Sequence, residues 1–226
     1  MMRCTAITFL VLLAASFVQG KTRPQLSGEA ILKYVEANFA GIQDYTVSLE
    51  AKVDLERLKV PQMKATMYFK QPDKFHFDSE GFALLPKEGL SFAPGSLTSR
   101  YDVEEVKEEN ALYVLTLKPK ARKTNARPLV TVNPANWTVL RIASLQPGGR
   151  NIQTDFEYEK LEGYWLPVRL TATLAVDTSE ASVSDNVQQR RPSLVPQQGT
   201  IQIRYSDYRI NSGLPDELFE QKKQAK

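Results

Sequence analysis

The sequence is short of the residues most enzymes depend on. In 226 residues there is one histidine, His76, and one cysteine, Cys4. Zinc coordination needs three or four His, Cys or carboxylate ligands at close spacing, and neither residue type is present in number. HExxH, GxSxG, SxxK and Gly-rich phosphate-loop patterns are all absent, so neither a nucleophile with its base nor a phosphate cradle is indicated. Cys4 precedes an apolar run from Ala6 to Ala15. The lipidated cysteine of a bacterial lipoprotein follows such a run, so a lipid anchor is not expected. No later stretch approaches the roughly 20 apolar residues of a membrane-crossing helix.

What is present begins with that run. Arg3, the apolar segment and the small residues before Gly20 form the three-part pattern of a secretory signal peptide. Residues 1–20 are expected to be removed, with a cut after Ser16 as the alternative. The mature chain of roughly 206 residues, numbered 21–226, is long enough for one domain with a sizeable core. It would contain no cysteine and therefore no disulfide, which suits a bacterial periplasm. The formal net charge of +3 falls to +2 without Arg3. That near-neutral balance gives no electrostatic case for nucleic acid.

Ser27 followed by Ile31, Leu32, Val35 and Phe39 predicts a capped amphipathic helix ending at Gly41. From Tyr45 the period changes to two. Tyr45, Val47, Leu49, Ala51, Val53 and Leu55 alternate with polar residues. Met63, Ala65, Met67 and Phe69 do the same, then Phe75 and Phe77. Alternation returns at Ile152–Tyr158, Leu166–Val176 and Ile201–Tyr205, with weaker strands at 101–107, 112–117, 129–132 and 139–145. Pro147-Gly148-Gly149 reads as a hairpin turn. Pro215 would open a last helical turn, with Asp216 and Glu217 at its positive end. Residues 177–199 are Ser-, Gln- and Asp-rich and aperiodic, as in a long mobile loop. Ten or so one-sided strands and a single long helix leave more apolar sheet than the helix can cover. The sheet is expected to curl and to enclose a cavity.

The charged and titratable groups read more plainly. His76 shares its parity with Lys74 and Asp78, the wet face of a strand. Glu104, Glu105, Glu108 and Glu109 read as a solvated strand end and turn. Lys118, Lys120, Arg122, Lys123 and Arg127 read as an exposed loop between strands, with docking to an acidic partner or anionic lipid as the alternative. Neither a catalytic residue nor a metal ligand is assigned, and no cofactor is expected.

Two motifs carry a resemblance. "YFKQPDKFHF", Tyr68 to Phe77, is a strand–proline–strand element. "YSDYRINSGLPDELFE", Tyr205 to Glu220, runs a last strand through Asn211 and Gly213 into a short helix ending at Phe219. Together with the signal peptide, first helix and long alternating strands, they resemble the outer-membrane lipoprotein carrier (LolA/LolB-like) family. Where the carrier itself has an arginine directly before the proline, helping to hold its lid, this chain has Gln71, and the 177–199 segment is longer. The resemblance is therefore to a divergent member.

It implies a mainly β fold: a strongly curved antiparallel sheet, an incomplete barrel, with helices lidding its concave face. It also implies a non-enzymatic carrier of lipid or lipoprotein acyl chains in the periplasm. A membrane-associated donor or acceptor protein and a monomeric state go with that reading. A sensor module signalling to a membrane partner is the alternative. Strand parity puts Val47, Leu49, Val53, Met67, Phe69, Phe75, Phe77, Phe156, Leu170 and Leu174 on the lining, with Ile31, Val35 and Phe39 on the lid helix.

Overall fold

The computed structural model describes residues 26–56, 58–59, 61–79, 95, 97–121, 127–146, 150–176 and 198–220. The expected signal peptide, the 147–149 turn and all but the last two residues of the expected 177–199 loop lie outside these residues. Gly199 itself already belongs to a strand.

Helix α1 spans Gly28–Ala37, and the Ser27 hydroxyl accepts from the Ala30 amide at 3.2 Å. That bond satisfies one of the free N–H groups at the helix start. The helix ends four residues before Gly41, at an Asn38 cap. Asn38 uses its side-chain amide to donate to the carbonyls of Asn136 and Trp137, which pins the helix end to a turn of the sheet. At its other end, Gly28 lies so close to Val103 that a β-carbon there would collide with the valine side chain.

Among the described residues eleven strands follow: β1 (Asp44–Leu55), β2 (Leu58–Lys59), β3 (Met63–Lys70), β4 (Lys74–Asp78), β5 (Tyr101–Glu109), β6 (Leu112–Pro119), β7 (Leu129–Asn133), β8 (Thr138–Gln146), β9 (Arg150–Leu161), β10 (Tyr164–Val176) and β11 (Gly199–Ile210). A four-residue helix α2, Leu97–Arg100, precedes β5, and a 3₁₀ turn, Asp216–Phe219, follows β11. The strands form one sheet in the order β4-β3-β1-β11-β10-β9-β8-β7-β6-β5, with β2 paired to β1. Every pairing is antiparallel.

Cross-strand register shows that the apolar face is continuous. Val106, Leu115, Val130, Ile142, Thr154, Ala172, Ile201 and Val53 stand opposite one another in turn, from β5 across to β1. Laid flat, the ten-strand path would separate its two edges by about 43 Å at the usual strand spacing. Yet Asp73, in the β3–β4 turn at one edge, meets Arg100, immediately before β5 at the other, at 3.3 Å. The sheet must curl to bring these residues together. It does not close, since β4 and β5 do not pair. This is the incomplete barrel that the sequence led us to expect.

Candidate functional site: the concave apolar face

The buried face divides into two clusters. The smaller holds Leu115, Leu117, Val130, Val132 and Val139 of β6–β8, covered by Ile31, Leu32 and Val35 of α1 and Leu97 of α2. The larger spans β1, β3, β9, β10 and β11 and includes Val47, Leu49, Val53, Met67, Phe69, Phe156 and Leu170. Phe75, Phe77 and Leu174 pack partly buried against it. All ten expected lining residues thus share one cluster, where Met67 stands opposite Phe77, Phe69 opposite Phe75 and Leu170 opposite Phe156.

The expected lid residues separate. Ile31 and Val35 lie on α1 over the smaller cluster. Phe39 falls in the turn after the helix and packs in the larger one. Every residue of the larger cluster comes from a strand or from that turn, none from a helix. Among the described residues, the helices therefore cover only the β5–β8 half of the face.

A group of tyrosines lies within the larger cluster. Tyr45 and Tyr205 are buried, and Tyr158 and Tyr208 pack against them partly buried. Strict alternation would put Tyr205 and Tyr208 on opposite faces. A bulge brings them to the same one: Thr46 pairs with Arg209 and Ser48 with Ser206, so Val47 alone faces Asp207 and Tyr208. Asp207 absorbs the extra residue at φ 55, a left-handed conformation that Asp tolerates better than most side chains. The Tyr45 ring then meets the Tyr208 ring edge-on at 5.5 Å. Tyr208 donates to the Pro167 carbonyl at 2.6 Å and Tyr158 to the Val139 carbonyl at 3.0 Å. Burial pushes all four phenols well above the usual tyrosine range, so they are neutral hydrogen-bond donors at any physiological pH.

The two motifs behind the resemblance meet at one end of this half. Gln71 donates its side-chain amide to the carbonyls of Phe39 and Ile42. Asn211 accepts from the Gln43 amide and donates to the Gly41 carbonyl. Asp44, 4% exposed, accepts from the amides of Ser212, Gly213 and Leu214 at 2.8 to 3.2 Å. Lys70 donates to the Leu214 carbonyl and, with Lys74, pairs with Asp216. That pairing holds the Asp216 carboxyl below its ordinary range. Gln71 therefore fastens the turn after α1 through its amide, at the position where the carrier has arginine. Asp44 was not singled out by sequence, because a buried carboxylate at a strand start leaves no periodic signal.

Several of the remaining charged groups have local partners. His76 is half-buried beside Tyr68, ring centroids 5.7 Å apart, on the face opposite Phe75 and Phe77. Glu104 pairs with Lys118 and Arg127, and Lys120 with Asp102. The acidic and basic stretches thus offset each other across β5 and β6; Arg122 and Lys123 lie outside the described residues. The acidic stretch forms the edge strand β5 itself, where charge discourages pairing with another chain. Among the described residues no group of three His, Cys, Asp or Glu could hold a metal ion, and no helix is long and apolar enough to cross a membrane.

No family model and no curated protein matches the chain. Solved structures do. An outer membrane lipoprotein-sorting protein domain from Vibrio parahaemolyticus is 14% identical with a TM-score of 0.59, over 85% of this chain and 95% of that one. A DUF1329 family protein from Desulfovibrio piger is 15% identical with a TM-score of 0.55, over 85% and 97%. A LolA superfamily protein from Nitrosomonas europaea is 12% identical with a TM-score of 0.53, over 87% and 99%. Likeness at such identities is a likeness of fold. The chain has the LolA-like fold, as its motifs led us to expect.

Proposed function

We propose that this chain is a non-enzymatic carrier that holds acyl chains of lipids or lipoproteins on the concave face of its sheet, in the periplasm after export. The observation that carries the reading is the larger cluster: an apolar face across several adjacent strands of an open sheet, to which, among the described residues, no helix contributes a buried residue. The lipoprotein-sorting and LolA superfamily names of the structural neighbours support it.

The energetics are favourable. Transfer of an acyl chain from water gains on the order of 0.8 kcal/mol per methylene, so a chain of ordinary length needs no charged partner to bind. An open sheet edge leaves room for a bulky lipid or protein head outside while its chains lie within.

The test is to purify the mature protein natively, extract it with organic solvent and identify bound lipid by mass spectrometry. Co-purifying acyl lipid, or a melting temperature raised by added acyl ligand, is the expected result. A protein that yields no lipid and is not stabilised by any acyl ligand is not a carrier of this kind.

A further inference from the structure

Two elements flanking the sheet are held in opposite ways. Helix α1 buries Ile31, Leu32 and Val35 in the smaller cluster. Its Glu36 carboxylate accepts from the amide and hydroxyl of Thr98 at 2.7 to 3.0 Å, and the Tyr34 ring stacks on Trp137 with centroids 4.4 Å apart. Swinging α1 aside would expose that apolar surface and break those contacts together. The 3₁₀ turn Asp216–Phe219, by contrast, buries no residue. Its internal bonds, from the Leu218 amide to the Pro215 carbonyl and from the Glu220 amide to the Glu217 carbonyl, are long at 3.4 and 3.3 Å. Among the described residues its side chains make polar contacts only through Asp216, which pairs with Lys70 at 2.6 Å and Lys74 at 3.1 Å. Exposed ion pairs of this kind hold an element weakly. The chain just before the turn is fixed. Asp44 accepts from the Ser212, Gly213 and Leu214 amides, and Lys70 donates to the Leu214 carbonyl. A loosely held turn thus hangs from a rigid stem, with Pro215 between them.

Between this turn and β4 lies a cleft of about 340 Å³, lined by Lys74, Phe75, Asp216, Phe219 and Glu220. That is near the lower limit for a ligand site. Phe75 is shared between the cleft and the concave face. It packs against the larger cluster, and its ring lies 5.1 Å from that of Phe69, which is buried there. The cleft therefore adjoins the apolar face at Phe75 and carries charge at Lys74, Asp216 and Glu220. The Lys74–Asp216 pair joins its two sides, strand to turn.

We propose that this cleft is the passage by which ligand reaches the larger cluster, and that the Asp216–Phe219 turn is the element that swings aside while α1 stays in place. This rests on the acyl-carrier reading and adds a route to it. The gate is then the ion-paired turn, not the first helix that the resemblance casts as a lid.

The experiment follows entry and exit of a pyrene-labelled hexadecanoate by stopped-flow fluorescence. Cys4, the chain's one cysteine, lies in the segment expected to be removed, so introduced pairs supply the only thiols of the mature protein. Lys74→Cys/Asp216→Cys bridged by a short bismaleimide is compared with the same variant capped by N-ethylmaleimide. Bridging is expected to slow entry and exit by roughly tenfold or more, since a tethered lid limits exchange. Bridging Glu36→Cys/Thr98→Cys, which ties α1 to α2, is expected to leave both rates unchanged. Free exchange past the bridged cleft, or exchange blocked by the α1 tether, overturns the proposal while leaving acyl binding intact. Failure of the wild type to bind the probe sinks the carrier reading and the proposal with it. Asp216→Asn should raise entry and exit rates alike by roughly threefold, the scale of exposed ion pairs, with affinity unchanged. Unchanged rates there overturn the gate, and should a paired variant not fold, this comparison decides alone.

Discussion

The two halves of the concave face are built from the same strand grammar and end differently. Over β5–β8, Ile31, Leu32 and Val35 of α1 and Leu97 of α2 close the apolar surface with protein, and Gly28 lets the helix approach Val103 without a gap. Over β1, β3 and β9–β11 no helix among the described residues contributes, and the face carries four tyrosines among its aliphatic and aromatic residues. The second half is tied down at its end by polar contacts: Asp44, Gln71 and Asn211 hold the two chain segments that meet there. Both halves are buried; they differ in what the described residues place against them, and on our proposal the second half is where an acyl chain is held.

A matched pair of substitutions separates these roles with the largest effect. Leu115 and Leu170 are 0% and 1% exposed, one in each half, and truncating either to alanine should cost up to about 5 kcal/mol in urea unfolding. Only Leu170→Ala should also weaken capture of an acyl ligand. Equal loss of binding in both variants would erase the distinction between the halves. Asp44→Ala comes next. It strips the acceptor from three backbone N–H groups and should cost about 3 kcal/mol; the counterpart in the helix-covered half is Glu36, which accepts from the Thr98 amide and hydroxyl. Gln71→Ala removes two donated bonds to the turn after α1, for about 1–2 kcal/mol by the same measurement.

The smallest effect concerns pH. Lys70 and Lys74 hold Asp216 below its ordinary pKa of 3.8. A carboxyl depressed in the folded state stabilises above its unfolded pKa, and that contribution disappears as pH falls through the folded value. Because the group is exposed, the effect should be slight. The difference in melting temperature between wild type and Asp216→Asn should be complete above pH 3.8 and close on further acidification. A gap that widens there would contradict the pairing.

Much of this was legible from the sequence, and what was not has physical causes. Period two puts Val47, Met67, Phe77 and Leu170 on one face because side chains alternate regardless of tertiary context. Ser27 marked the helix start by its capping chemistry. Parity says nothing, however, about which element covers a face, so the packing of α1 and α2 on the β5–β8 half was invisible, and Phe39 was assigned to a helix that ends before it. The short helix Leu97–Arg100 has too few residues to show a period. Tyr208 was beyond reach for a different reason. A bulge inverts parity from its position onward, and the only local sign is an aspartate at Asp207, a residue type common at many other kinds of position.

A photoreactive acyl ligand, cross-linked in place and mapped by peptide mass spectrometry, addresses the central claim most directly. The account predicts adducts on β1, β3, β4 and β9–β11, at or beside Tyr45, Met67, Phe77 and Leu174, and none on β5–β7. Adducts concentrated on β5–β7, or on the outward face around His76, would contradict it.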